Sequence, residues 1–275
     1  MNRFKPVLGM CSQGQKKGGV NEGGLFLYNN IFRDVCDAKP LVIQHEQFDN
    51  AAGYLKLYQT CRQIQKPLLL GGDHSVSSSS VLASLQKYRD LNVIWVDAHP
   101  DIHTYDSTVS GNTHGTPLSI CTGLEEQHWA SRMNLRKLSF QRLTYVGIRD
   151  IDDFERQTID ENNIRVLDVP NVIDFIRKVQ GPVHISFDVD ALDPDLVDST
   201  GTRVPDGLEA EEVREIIASA LEVDKLVSLD VVEFNKDLGC PENSLLAIRN
   251  IFDPDMTTED DSDLTTTQHF LKARQ

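Results

Sequence analysis

Eight short apolar runs recur along the chain: KPVLGM from Lys5, KPLVIQ from Lys39, KPLLLGG from Lys66, LNVIWVD from Leu91, RLTYVGIRD from Arg142, NIRVLDV from Asn163, GPVHISFDVD from Gly181 and DKLVSLDVVEF from Asp224. Their apolar positions are nearly continuous instead of alternating, the pattern of strands covered on both faces. Between most of them lie amphipathic segments of helical length, among them residues 49–65, 75–89, 170–179 and 209–222. Strands separated by helices predict an α/β fold with a parallel sheet. No linker-like stretch divides the chain, so residues 1–251 read as a single domain, while the acidic, apolar-poor residues 252–275 read as a solvated or flexible tail.

Ligands of such sheets gather beyond the carboxyl ends of the strands, where the loops meet. Polar clusters sit at those ends here. Asp73 and His74 follow one predicted strand, Asp97, His99 and Asp101 a second, Asp188 and Asp190 a third, and Asp230 and Glu233 a fourth. The second cluster belongs to DAHPDIHT, residues 97–104, in which Asp97, His99, Asp101 and His103 alternate acid and imidazole at period two. On extended backbone such groups point to one side and crowd into one small volume.

Charge and composition narrow the partners. Lys and Arg total 27 against 42 Asp and Glu, a formal charge of -15. That balance speaks against nucleic acid or an anionic membrane and suits a small cationic substrate. The five cysteines are scattered, with no C-x-x-C pair, and read as free thiols in a reducing compartment. The N-terminus lacks a signal-peptide pattern and no apolar run approaches the ~20 residues of a membrane helix, so a cytoplasmic location is expected.

A lone Asp at a strand end is usually a cap or turn former, and a lone His a satisfied core group; His45, His128, His184 and His269 read that way. Asp97, His99, Asp101, Asp188 and Asp190 resist this reading, because no Lys or Arg lies close in sequence to neutralise them. Bound cations would. Oxygen-rich donors with imidazoles and no nearby thiol suit manganese or another octahedral divalent ion better than a structural zinc. Four carboxylates suggest two ions, and ions about 3.5 to 4 Å apart can deprotonate a water between them. The expected reaction class is metal-assisted hydrolysis.

These residues lie in seven motifs that together resemble the arginases of the ureohydrolase family: GGDHS at 71–75, DAHPDIHT at 97–104, SGNTHGTPLS at 110–119, VGIRDIDDFE at 146–155, SFDVDALDP at 186–194, GTRVPDGL at 201–208 and SLDVVEFN at 228–235. They follow the family order, and GMCSQGQKKGGVNEGG from Gly9 to Gly24 extends the likeness toward the N-terminus. The resemblance implies a three-layer αβα fold around a mostly parallel, approximately eight-stranded sheet, with assembly into trimers or hexamers. It also implies hydrolysis of L-arginine to L-ornithine and urea with two Mn2+ per chain. By position, one ion would be held by His74, Asp97, Asp101 and Asp188, and the other by His99, Asp97, Asp188 and Asp190, with Asp97 and Asp188 bridging.

The implied chemistry is attack of a metal-bridging hydroxide on the guanidinium carbon, with Asp101 taking the hydroxide proton and His114 shuttling a proton to the departing amine. Glu233 would pair with the guanidinium through two parallel hydrogen bonds, with Thr202 beside it. Asp152 would receive the α-ammonium group, with Glu155 close behind, while Ser110 and Asn112 would meet the α-carboxylate. Asp230 is expected to be structural. His103 stands where arginases more often carry Asn and is expected to face the substrate carboxylate, not the metals.

Departures from the pattern are Gly24 where Pro is common, Arg203 and Asp206 where Pro and Gly are usual, and Glu211 where many arginases carry Arg. The alternatives are another ureohydrolase (agmatinase, guanidino-acid hydrolase or formimidoylglutamase), a zinc deacetylase with one ion and an electrophilic Tyr, and a silent binding protein that keeps the fold. The SGN run before His114 has no purpose for a substrate without an α-carboxylate, which favours L-arginine over agmatine.

Overall fold

Strands with no polar face need cover on both sides, and the computed structural model, which describes Met1 and residues 3–36 and 38–253, provides it with two helical layers. All eight predicted strands form: β1 (Lys5–Gly9), β2 (Leu41–Ile43), β3 (Pro67–Gly71), β4 (Asn92–Val96), β5 (Leu143–Val146), β6 (Arg165–Val166), β7 (Val183–Asp188) and β8 (Leu226–Val232). They make one sheet in the order β2-β1-β3-β8-β7-β4-β5-β6, and every neighbouring pair is parallel.

The helices among the described residues are α1 (Gly23–Leu27), α2 (Arg33–Val35), α3 (Ala51–Gln63), α4 (Ser77–Lys87), α5 (Pro117–Thr122), α6 (Asp153–Glu161), α7 (Val169–Lys178), α8 (Ala210–Glu222) and α9 (Pro241–Phe252). Leu27, Val172, Ile216 and Ile248 from α1, α7, α8 and α9 pack on one face of the sheet with Leu8, Ile94 and Phe187. Leu57, Val81, Leu118 and Ile159 from α3 to α6 pack on the other face with Leu69, Trp95 and Tyr145. The fold is the expected three-layer αβα arrangement. The expected tail lies outside the described residues from residue 254 onward, as does His269.

The topology decides where chemistry can gather. β3, β8, β7 and β4 are consecutive in the sheet, although they come from widely separated parts of the chain. These are the four strands followed by acids and imidazoles, so their carboxyl ends form one continuous edge.

Two expectations about single residues are met within the core. None of the five cysteines forms a disulfide, and every one but Cys240 is buried. His184 is fully buried on β7, with Nδ1 3.1 Å from Ser84 Oγ and Nε2 3.0 Å from Asp230 Oδ2. The same Asp230 oxygen accepts a 2.5 Å bond from Ser80 Oγ on α4. This polar network ties α4 to β7 and β8, and it excludes Asp230 from the site. Replacing His184 by Ala strips the buried carboxylate of a partner and should cost about 3 to 5 kcal/mol, read as a lower midpoint in denaturant unfolding. An unchanged midpoint would mean that Ser80 alone satisfies Asp230.

Candidate active site

The acid-imidazole alternation does not come from strand pleating. β4 stops at Val96, and Asp97 to Asp101 form a loop in which Asp101 takes a left-handed backbone, φ 52°. Aspartate tolerates this conformation better than most residues. The turn is pinned by Tyr145, whose hydroxyl donates to Pro100 O at 2.9 Å, and by Leu118 N, which donates to Asp101 O at 3.1 Å. Asp97, His99 and Asp101 therefore converge through loop geometry, and His103 lies beyond the turn.

Two donor groups result. Around His74 Nδ1 stand Asp97 Oδ2 and Asp101 Oδ2, each at 3.0 Å, and Asp188 Oδ2 at 3.2 Å. Around His99 Nδ1 stand Asp190 Oδ2 at 3.2 Å and Asp97 Oδ1 at 3.4 Å. Asp97 contributes one oxygen to each group. Asp188 turns Oδ2 to the first group, while its Oδ1 accepts a 2.8 Å bond from Asp190 N.

The donor set fits divalent cations. His74 Nδ1 and Asp97 Oδ2 are buried and lack a properly directed hydrogen bond, although they lie within reach of one another. Orphaned buried polar atoms are costly, and a cation between them would satisfy both. The other nitrogen of His74 is occupied by Ser186 Oγ at 2.9 Å, and its ring lies 4.1 Å above Trp95, 6° from parallel. Such outer contacts fix which nitrogen faces the carboxylates.

The electrostatics of the bare cluster tell the same story. Burial, reinforced by the charges of Asp190 and Asp97, holds the Asp188 carboxyl well above the usual range. Burial and Asp97 push Asp101 up to about 6. Burial opposes a charge on His74, but Asp101, Asp188 and Asp97 outweigh it and raise the imidazole well above its ordinary value. The cluster holds protons where it would otherwise hold a cation.

Beyond the donor groups opens a cleft of about 200 Å³ lined by His103, His114, Asp152, Glu155 and Thr202 together with the cluster itself. A second cavity of about 230 Å³ shares His103, His114 and Asp152 with it and continues to Ser110 and Asn112. Of the expected substrate contacts, His103, Ser110, Asn112, Asp152, Glu155 and Thr202 line these two adjoining cavities, whereas Glu233 lines neither and lies behind His114. Thr202 gives its hydroxyl proton to Asp190 Oδ2 at 2.6 Å.

Glu233, also left-handed at φ 65°, is buried and accepts from His74 N at 2.8 Å and from Gln15 Nε2 at 2.6 Å, while His114 Nδ1 lies 3.0 Å from Oε1. Burial opposes a charge on His114, but Glu233 raises the imidazole to about 9. Asp152 caps α6, accepting from Glu155 N at 2.9 Å, and Glu155 reciprocates toward Asp152 N.

Several residues that matter here were missed in the sequence. Gln15 and Lys16 come from the glycine-rich N-terminal loop; Lys16 Nζ donates to Ser110 O at 2.8 Å. Gly14 sits so close to Asp73 that a Cβ would collide with its carboxylate, and its N–H donates to Asp73 Oδ2 at 2.9 Å. Asp73 is thereby a buried brace, not a ligand.

Arg149 threads its guanidinium among carbonyls, donating to Asp190 O at 2.9 Å, Val204 O at 2.7 Å and Pro205 O at 2.9 Å. It locks the loop carrying Asp190 to the loop carrying Thr202. The only available signal was its place in GIRD, directly after a predicted strand.

Arg149→Lys keeps the charge but loses the planar fork; a divalent cation should bind about tenfold more weakly, read as the ion's dissociation constant. Unchanged affinity would show that the loop holds its shape without the fork. Glu155 offers a separate check. Burial first, then Asp101 and Asp152, push its carboxyl up to about 8 from the ordinary 4.5. Its protonated form therefore stabilises the metal-free fold fully below about 4.5, and that contribution is gone once the pH has risen through about 8. Glu155→Gln should leave metal-free stability unchanged in acid and raise it above pH 8, by at most a few kcal/mol, read as melting temperature against pH.

Comparison with known proteins agrees with this geometry. A family model described as the arginase family matches residues 21–253. An arginase from Glaciozyma antarctica is 34% identical over 276 residues, covering 83% of this chain and 79% of its own length. The Saccharomyces cerevisiae arginase is 37% identical over 192 residues, covering 63% of this chain and 58% of its own. Among solved structures, Entamoeba histolytica arginase in complex with L-ornithine superposes with a TM-score of 0.82 at 28% identity, covering 91% of this chain and 97% of that one. Bacillus subtilis arginase gives 0.81 at 26%, covering 90% and 95%. The chain belongs to the arginase family of hydrolases.

Proposed function

We propose that this protein hydrolyses L-arginine to L-ornithine and urea with two manganese ions per chain. The observation that carries the reading is the continuity of the paired donor groups with a cleft that runs from Asp101 to Ser110 and Asn112. One end suits a cation-activated reaction, and the other suits an amino-acid head group.

His74, Asp97, Asp101 and Asp188 would hold one ion, and His99, Asp97, Asp188 and Asp190 the other, with oxygen and imidazole donors that suit manganese. When bound, such a pair lowers the pKa of water between its members and so supplies a nucleophile near neutral pH. The chain's own residues do the rest. Asp101, at the edge of the cleft, accepts a proton. His114, kept cationic by Glu233, donates one to the departing amine. Glu233 serves His114 directly and adds negative charge near the guanidinium, with Gln15 holding its second oxygen.

Asp152 and Glu155 present carboxylates for the α-ammonium group, and Ser110 and Asn112 present neutral donors for the α-carboxylate. Thr202, through Asp190, helps shape the guanidinium end. Among the described residues no tyrosine lines the cleft, which favours this reading over a deacetylase. The extension to Ser110 and Asn112 favours arginine over agmatine.

Residues 1–251 would form a single catalytic domain of a cytoplasmic homo-oligomer, a trimer or hexamer. Among the described residues no helix is long and apolar enough to cross a membrane. The substitution at Glu211 leaves that side chain paired within its own chain, to Arg214.

After manganese loading, the protein should release urea from L-arginine in preference to agmatine, and Asp97→Ala should lose at least about a hundredfold in kcat/KM, since even outer-shell changes at metal sites cost up to that much. Preference for agmatine would transfer the protein to another ureohydrolase activity. Full activity in Asp97→Ala would remove the two-ion mechanism.

A further inference from the structure

His103 is the fourth member of the acid-imidazole alternation, and its surroundings differ from those of a carboxylate reader. Its ring lies on Phe154 of α6, centroids 5.4 Å apart and planes 13° from parallel. Nδ1 is 2.9 Å from Ser107 Oγ, and Nε2 is 2.8 Å from Asp152 Oδ2. Ser107 Oγ accepts from Thr104 N at 2.9 Å, and of the two acceptors within reach of its own proton, Nδ1 at 2.9 Å is nearer than Thr104 O at 3.3 Å. Nδ1 then acts as the acceptor, and the ring proton sits on Nε2, facing Asp152.

Asp152 is held from two directions. Oδ1 accepts from Glu155 N at 2.9 Å as the cap of α6, and Oδ2 meets His103. Its side chain nonetheless stays 46% exposed, so it can still take a cation from the cleft. A carboxylate with two lone pairs on each oxygen accepts both its protein partners and an incoming ammonium group. Both nitrogens of His103, by contrast, are engaged, leaving no free N–H for a substrate carboxylate.

We infer that His103 is a positioning residue for Asp152, preorganising it to receive the substrate's α-ammonium group, and that it thereby sets selectivity for substrates that carry this group. The inference rests on the arginase reading for the identity of the substrate and deepens it. It moves His103 from the carboxylate side of the amino-acid pocket to the ammonium side. Recognition of the carboxylate is left to Ser110 and Asn112, whose loop is tethered by Lys16. A preoriented acceptor loses less conformational freedom on binding, which is where its contribution to affinity arises.

The test uses manganese-loaded full-length protein and three probes that divide the head group: L-ornithine with both charges, putrescine with the ammonium only, and 5-aminovalerate with the carboxylate only. Calorimetric affinities are compared for wild type, His103→Asn, His103→Gln, Asp152→Asn and the His103→Asn, Asp152→Asn double variant. An Asn amide reaches only about as far as Nδ1, whereas a Gln amide nitrogen reaches roughly to Nε2.

His103→Asn should weaken ornithine and putrescine by about five- to tenfold relative to 5-aminovalerate, a loss of the order set by one charge-assisted contact. His103→Gln should recover most of that loss, and the double variant should be no worse than Asp152→Asn alone. A loss shared by ornithine and 5-aminovalerate but not putrescine would overturn the inference by making His103 the carboxylate reader. An equal loss for all three probes, or one manganese fewer per chain in His103→Asn, would also overturn it, by showing a structural or metal-binding role.

Urea release from L-arginine by wild type is measured alongside. Its absence removes the arginase reading, yet the inference stands if the three probes still divide as expected. A wild type that binds all three equally overturns the inference whatever its turnover.

Discussion

Four aspartates buried within one cluster are the constraint on which this structure turns. Asp97, Asp101, Asp188 and Asp190 are all at least nine-tenths buried, and among the described residues no Lys or Arg side chain pairs with them. Carboxylates so placed repel one another and forfeit hydration, so a stable fold must surround them with donors. Backbone does much of this: His99 N donates to Asp97 at 2.7 Å, Ala98 N to Asp190 at 3.3 Å and Asp190 N to Asp188 at 2.8 Å. Two imidazoles and the Thr202 hydroxyl add to this in the bare protein. The loops after β4 and β7 are shaped by this need, and Asp101 accepts a left-handed backbone as part of the same arrangement.

The two ends of the cleft are built to different standards. At the cation end, His74 is clamped between Trp95 and Ser186, and Arg149 closes the loops through carbonyl contacts. Groups fixed to strand ends in this way can hold positions with little freedom to relax. The amino-acid end rests instead on a helix cap, Asp152 with Glu155, and on the short loop around Ser110. On the proposed reading, changes there would alter recognition without disturbing the cation groups, and His103 would be such a change. Its neighbour in sequence terms, Asp101, serves the other end. The turn at Asp101 is what separates the two roles.

Much of this was legible before any coordinates. Near-continuous apolar runs identified all eight strands, because a strand covered on both faces has no polar positions to confuse it. Asp97, His99, Asp101, Asp188 and Asp190 stood out because their charge lacked a nearby partner in sequence, and His74 joined them through the family motifs. Other features were hidden by distance along the chain. Gln15 reaches Glu233 across 218 positions, and His74 N reaches the same carboxylate across 159. Glu233 was read as a direct partner of the guanidinium; its contacts to His114 and His74 N through Oε1 and to Gln15 through Oε2 were not legible in the sequence. Thr202 likewise looked free and is bonded to Asp190.

The sequence by itself determined the fold class and the family and picked out the acids and imidazoles that gather in the two donor groups, because each rests on local pattern: apolar runs, strand-end acids and imidazoles, and motifs in order. Only the tertiary structure decided how those atoms divide. The period-two spacing of Asp97, His99, Asp101 and His103 is identical on paper at every step, yet the first three converge on the cation groups while the fourth lies on Phe154 beside Asp152. The reason is physical: β4 ends at Val96, and a left-handed turn at Asp101 abolishes the alternation that an extended chain would have kept.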